Sequence, residues 1–104
     1  MKSARTKPSN KGLVRETYGG EPYEYYPLGK HIVAAPGVCG GRPTFKYTRI
    51  EVAFILDLLS AGWSVKQVTR EYKASHLSAQ AVEEAVRLAK EAFVRASPVL
   101  RPAT

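Results

Sequence analysis

From Ile50 to Ser60 the chain barely alternates: Ile50, Val52, Ala53, Phe54, Ile55, Leu56, Leu58 and Leu59 leave only Glu51, Asp57 and Ser60 polar. An apolar stripe this wide predicts a helix that lies centrally or buries a second face against another chain. Gly62 supplies its stop. The next start signal is complete, with Ser64 and Gln67 spaced as a capping box and Trp63 and Val68 as a hydrophobic staple. It predicts a short helix carrying Val65, Val68 and Tyr72 and ending near Lys73. Ser78 repeats the cap and Leu77 with Val82 the staple. Val82, Ala85, Val86, Ala89 and Phe93 then recur with helical spacing until Pro98. Glu83–Arg87 and Glu91–Arg95 stand as i,i+4 pairs on the outer face of that third helix.

The first half reads differently. HIVAA (31–35) predicts a short strand and PTFKY (43–47) its partner, with Pro36, Gly37, Gly40 and Gly41 between them. The stretch from Gly12 to Gly29 is rich in Gly, Pro and Tyr, and Pro22 and Pro27 argue against a central strand. Residues 1–12 hold almost no large apolar side chain and read as flexible. The fold expected is therefore mainly α: a three-helix, helix-turn-helix-like domain preceded by a short β-hairpin or β-arm. Residues 1–30 are expected to be a flexible, basic, Tyr-rich arm, 31–96 the three-helix domain with its leading β segment, and 97–104 a loose tail.

Charge sharpens this division. The net charge is +7. Residues 1–30 carry six Lys/Arg against three Glu, residues 31–50 carry Arg42, Lys46 and Arg49 with no acid, and residues 51–104 are nearly balanced. The basic excess of the first half suits a polyanion or an acidic protein surface. A length of 104 residues allows one small core. No apolar run approaches a membrane span, and no apolar stretch follows the basic N-terminus, so a cytoplasmic location is expected.

The segment GVCGGRPTFKYTRI (37–50) raises the question of chemistry. A phosphate loop would close in Gly-Lys-Ser/Thr and open a helix, whereas this run closes in Arg-Pro and continues extended. Cys39 lacks a base with a recognisable spacing, since only His31 and His76 are available. These three residues do not form a metal-ligand pattern either. Glu83 and Glu84 face different ways on a helix. No catalytic constellation emerges; the chain is expected not to be an enzyme and to need no cofactor and no metal.

Binding is the remaining class. The third helix would be the reading helix of a helix-turn-helix, presenting Ser78, Gln80, Glu83, Arg87 and Lys90. Gln80 suits adenine, and Arg87 suits guanine or phosphate. Lys66, Arg70 and Lys73 on the second helix are the better phosphate contacts. Tyr18, Tyr23, Tyr25 and Tyr26 suit a protein contact or the packing of the domain's own core, and stacking on single-stranded nucleic acid is a third use. Arg42 and Lys46, with no acid near them in sequence, join them as candidate partner contacts.

The run GVCGGRPTFKYTRIEVAFILDLLSAGWSVKQVTREY resembles the bacterial domain-of-unknown-function 433 family. The resemblance rests on Gly40, Gly41, Arg42, Pro43, Thr48, Arg49, Ile50, Ala61, Gly62, Trp63, Ser64, Tyr72, Leu77 and Ser78, and it spans roughly residues 31–93. It implies a small helix-turn-helix-like domain after a short β element. It also implies an antitoxin, acting as a homodimer on its own operator DNA and paired with a PIN-like ribonuclease toxin. The alternative is a protein-interaction module that neutralises a partner nuclease without binding DNA. Two departures stand out: the family's Gly before Thr-Arg is Tyr47 here, and the turn YKASHLS is longer and lacks the family's Pro. A tyrosine would be strained wherever that glycine takes a positive φ.

Overall fold

The structure, a computed structural model, describes residues 12–97. Four strands come first: β1 (Val14–Tyr18), β2 (Glu21–Pro27), β3 (Ile32–Ala34) and β4 (Pro43–Phe45). Three helices follow: α1 (Val52–Ser60), α2 (Val65–Glu71) and α3 (Ala79–Ala96). The strands lie in the order β1-β2-β3-β4, each pair antiparallel.

This corrects the mainly α expectation, for 47 % of the described residues are helical and 22 % lie in strands. The segment read as an arm supplies half of the sheet. Tyr18 pairs with Glu21 across a two-residue turn, where Gly19 and Gly20 take φ of 62° and 81°. That turn suits the twist of paired strands and strongly favours glycine. The two prolines of β2 are tolerated because its partners divide its length. β1 pairs with Glu21 to Tyr25, and β3 only with Tyr26 and Pro27, so neither proline stands where both neighbours require a donor. Residues 1–11 and 98–104, including Pro98 and most of the expected tail, lie outside the described residues.

The expected hairpin of the second pair is present. Ile32 faces Phe45, Val33 faces Thr44 and Ala34 faces Pro43. Alternation along these strands divides the buried side chains between two faces. Ile32 and Phe45 meet Val52 and Ile55 of α1, Val68 of α2, Leu77, and Ala81, Val82 and Ala85 of α3. Val33 instead joins Tyr25 and Ala35 in a smaller cluster with Val14, Tyr23 and Val38. Thr44 is fully buried, and its hydroxyl has no hydrogen-bond partner among the described residues.

The helix starts follow the sequence signals closely. Ser64 accepts from the Gln67 amide and Gln67 returns the bond to the Ser64 amide. Ser78 accepts from the Ala81 amide. α1 starts at Val52 and not at Ile50, because Phe45 donates to the Ile50 carbonyl and Glu51 bridges to Thr44. Its wide stripe is only partly used: Val52 and Ile55 are buried, while Phe54 is exposed and meets the edge of Tyr72.

Candidate functional site

The tyrosines of the first hairpin converge on Glu16 and Lys46. Tyr25, buried on β2, donates its hydroxyl to Glu16 Oε2. Tyr47 donates to Glu16 Oε1 at 2.7 Å, and its amide donates to the Tyr23 hydroxyl at 3.0 Å. Tyr18 stacks on Tyr47 with ring centroids 4.4 Å apart and planes 15° from parallel. Lys46 Nζ lies 4.9 Å from the Tyr25 ring centre, 5.0 Å from that of Tyr47, and 3.8 Å from Glu16. A cation over aromatic faces is attracted by their quadrupoles.

Protonation follows from these contacts. The Tyr25 hydroxyl, then Tyr47 and Lys46, hold the Glu16 carboxyl below the ordinary carboxylate range. Tyr25 is also the main reason that Lys46 holds its proton more tightly than a free lysine. The bond to Glu16 raises the Tyr47 phenol. These contacts favour Glu16 as the carboxylate and Lys46 as the ammonium.

Tyr47 stands at φ 68°, so the conditional expectation about strain is met in this structure. A bulky residue there costs on the order of 1–3 kcal/mol. The stack on Tyr18 and the two hydrogen bonds offset that strain. Sequence reasoning singled out position 47 but not its partner Glu16, which lies 31 residues earlier and carries no spacing signal.

Beside this cage runs a groove of about 520 Å³, between the turn after β4 and the start of α3. Phe45, Leu77 and Ala81, all buried, form its floor. Lys30, His31 and Lys46 line one side; Ser75, His76 and Ser78 line the other. His76, in the turn before α3, takes φ 59°. The larger hollow, about 720 Å³, is lined by Glu21 and Glu24 as well as Arg49, so its charges offset one another.

Glu84 fixes one wall of the groove. Its two oxygens accept from the amides of Lys30 (2.8 Å) and His31 (2.7 Å), tying α3 to the β2–β3 turn. Burial pushes its carboxyl up, but those two amide bonds and the charges of His31 and Arg87 bring it below the ordinary range. Gly29 makes room for this clasp, since a Cβ there would lie 2.7 Å from Glu84 Oε2.

Of the candidate partner residues, Tyr18 and Lys46 line the groove, Tyr23 and Tyr25 belong to the cage, and Tyr26 pairs with Ala34. Arg42 is not without an acid: it binds both oxygens of Glu51 at 2.9 and 3.0 Å, lowering that carboxyl and raising its own pKa. Of the candidate DNA contacts, Lys66 and Arg70 lie exposed one turn apart on α2, and Lys73 follows in an exposed 3₁₀ turn. Gln80 and Lys90 are exposed on α3. Ser78 spends its acceptor on the cap. Arg87 pairs with Glu84 and Glu91 and not with Glu83, the partner its spacing suggested.

Among the described residues, no group of three or more His, Cys, Asp or Glu is placed to hold a metal ion. Cys39, at φ 50°, points its thiol at the Arg49 carbonyl, 3.4 Å away. No helix among the described residues is long and apolar enough to cross a membrane.

One family model, described as "Protein of unknown function (DUF433)", matches residues 32–89. The match covers β3, β4, α1, α2 and α3 as far as Ala89, and leaves β1, β2 and the end of α3 outside. No curated protein and no solved structure matches the chain.

Proposed function

The chain belongs to the DUF433 family, and on that premise we propose that it works by binding and not by catalysis, as an antitoxin-type partner of another protein. The observation that carries this reading is the outer stripe of α3. Val86, Ala89 and Phe93 recur at i, i+3 and i+7, all three are exposed, and Phe93 is 76 % exposed. Burying such a phenylalanine is worth about 1.5–3 kcal/mol, which a second chain is able to supply. A homodimer and a PIN-like ribonuclease are the partners that the family resemblance implies. A cytoplasmic setting belongs to the same proposal.

The test is co-expression with the product of the adjacent gene, followed by gel filtration with light scattering. A dimer or a discrete complex is expected, with Phe93→Asp dissociating it while its circular dichroism stays unchanged. A wild-type chain that remains a monomer and binds no neighbouring product refutes the reading.

Operator binding is the second reading, favoured by the exposed Lys66 and Arg70 followed by Lys73. α3 is a weaker reading helix than its sequence suggests, because Arg87 is held by two carboxylates. If α2 contacts phosphates, a Lys66→Ala, Arg70→Ala variant lowers the salt slope of binding to its upstream DNA by about 2. Absent or salt-independent binding to that DNA rules this half out.

A further inference from the structure

We infer that the groove between the turn after β4 and the start of α3 is a docking site for a short acidic segment of a protein partner, an apolar side chain flanked by carboxylates. The inference rests on reading the chain as a binding module, and it assigns that role to a surface distinct from the α3 stripe.

Three observations carry it. The first is charge. Two lysines and two histidines line the groove, and no carboxylate does. Lys30 forms no ion pair among the described residues. The nearest acid, Glu84, is turned onto the backbone amides of Lys30 and His31 and towards Arg87, so it leaves the Lys30 ammonium uncompensated. Glu16 stands behind Lys46 and outside the lining. Such a site attracts a negative partner and repels a positive one.

The second is the floor. Above the buried Phe45, Leu77 and Ala81, the exposed rings of Tyr18 and Tyr47 give the groove apolar surface that a bare phosphate could not use. Tyr18 covers one face of Tyr47 at 4.4 Å, so stacking on a nucleobase falls to the exposed Tyr18 ring alone, and an oligothymidylate is the control for it. A peptide with an apolar anchor between carboxylates matches both the floor and the walls.

The third is backbone conformation. Of the three non-glycine residues at positive φ among the described residues, Tyr47 and His76 both line this one groove. Strained positions concentrate where a surface is held in a particular shape for a ligand.

The experiment uses the full chain, a fluorescein-labelled peptide with one phenylalanine between pairs of aspartates, and three controls. These are the same peptide with asparagines for aspartates, the same with alanine for phenylalanine, and an oligothymidylate. Anisotropy is expected to rise with the acidic phenylalanine peptide alone. Its addition should shift the amide resonances of Tyr47, Ser75, His76 and Leu77. Lys30→Glu should weaken binding tenfold or more, and it is safe for the fold because only the Lys30 backbone serves Glu84. His76→Gly should weaken binding without lowering the melting temperature, since glycine adopts that backbone freely. Equal affinity in Lys30→Glu, binding of the oligothymidylate in place of the peptide, or no shift at the groove overturns the assignment. If Phe93-dependent assembly survives any of these outcomes, the binding role stands and only this site falls.

Discussion

Replacing Glu84 by alanine removes the clasp between α3 and the β2–β3 turn, and the cost follows from its geometry. Two amides, those of Lys30 and His31, donate to one carboxylate at 2.8 and 2.7 Å. Each hydrogen bond to a charged group is worth about 1.5–3 kcal/mol. Water replaces part of the loss at the exposed Lys30 amide, which leaves roughly 2–4 kcal/mol in all. For a domain of this size that lowers the melting temperature by roughly 10–25 °C. Glu84→Gln keeps one carbonyl acceptor and should lose about half as much. The pH dependence has a definite sign. The folded-state pKa lies below its ordinary value, so the contribution is fully present above the unfolded pKa and is lost as pH falls through the folded one. The deficit of Glu84→Ala should therefore shrink in acid. Gly29→Ala provides an internal check, because its Cβ displaces the Glu84 carboxylate, the movable end of a flexible side chain. Alone it should destabilise by breaking the clasp; in the Glu84→Ala background it should be nearly neutral. Urea unfolding at several pH values measures all four variants. A loss below about 0.5 kcal/mol in Glu84→Ala, the range of an ordinary surface change, or strict additivity with Gly29→Ala, would refute the reasoning.

Thr44→Val should stabilise by about 1 kcal/mol in urea unfolding, because it removes a buried hydroxyl that has no partner among the described residues. Tyr47→Gly and Tyr47→Ala both lose the stack and the bond to Glu16, but glycine should be the better tolerated by about 1 kcal/mol, since it accepts φ 68° without a Cβ. Equal losses in the two variants would remove backbone strain from the account. Glu16 is held below its ordinary pKa first by Tyr25, so its stabilisation is present above the unfolded pKa and fades in acid. Glu16→Gln should accordingly flatten the acid side of a stability profile, and an unchanged slope would contradict it.

The helical half was legible because its signals are local. Ser64 with Gln67, and Ser78 ahead of α3, declare helix starts within four residues, and the structure closes the hydrogen bonds they imply. The first hairpin was missed because Pro22 and Pro27 were weighed as breakers of a strand flanked along its whole length. The Gly19-Gly20 pair was the available signal for it, standing between runs with aromatic alternation. The site lay further from view. Lys46 meets Glu16 across thirty positions, and Glu84 reaches Lys30 and His31 across more than fifty. No periodicity encodes such meetings. They arise when the sheet brings β1 beside the turn after β4 and α3 closes over it. Position 47 is the exception, since one residue out of place in a recognisable run was enough to mark it.

The two-sided burial of the sheet also sets an order of opening. β1 and β2 are anchored by a small cluster of Tyr25, Val33 and Ala35, and they join β3 through only two paired positions. Val68, Val82 and the sheet residues Ile32 and Phe45 belong to the larger cluster on the other face. Amide protons of the first hairpin should therefore exchange with deuterium through a partial opening that leaves those of α2 and α3 protected. In that opened form residues 32–89, the part shared with the family, persist while Glu16 swings away from Lys46. Native-state exchange should therefore record the first hairpin as its own cooperative unit, a cover that detaches from a lasting core.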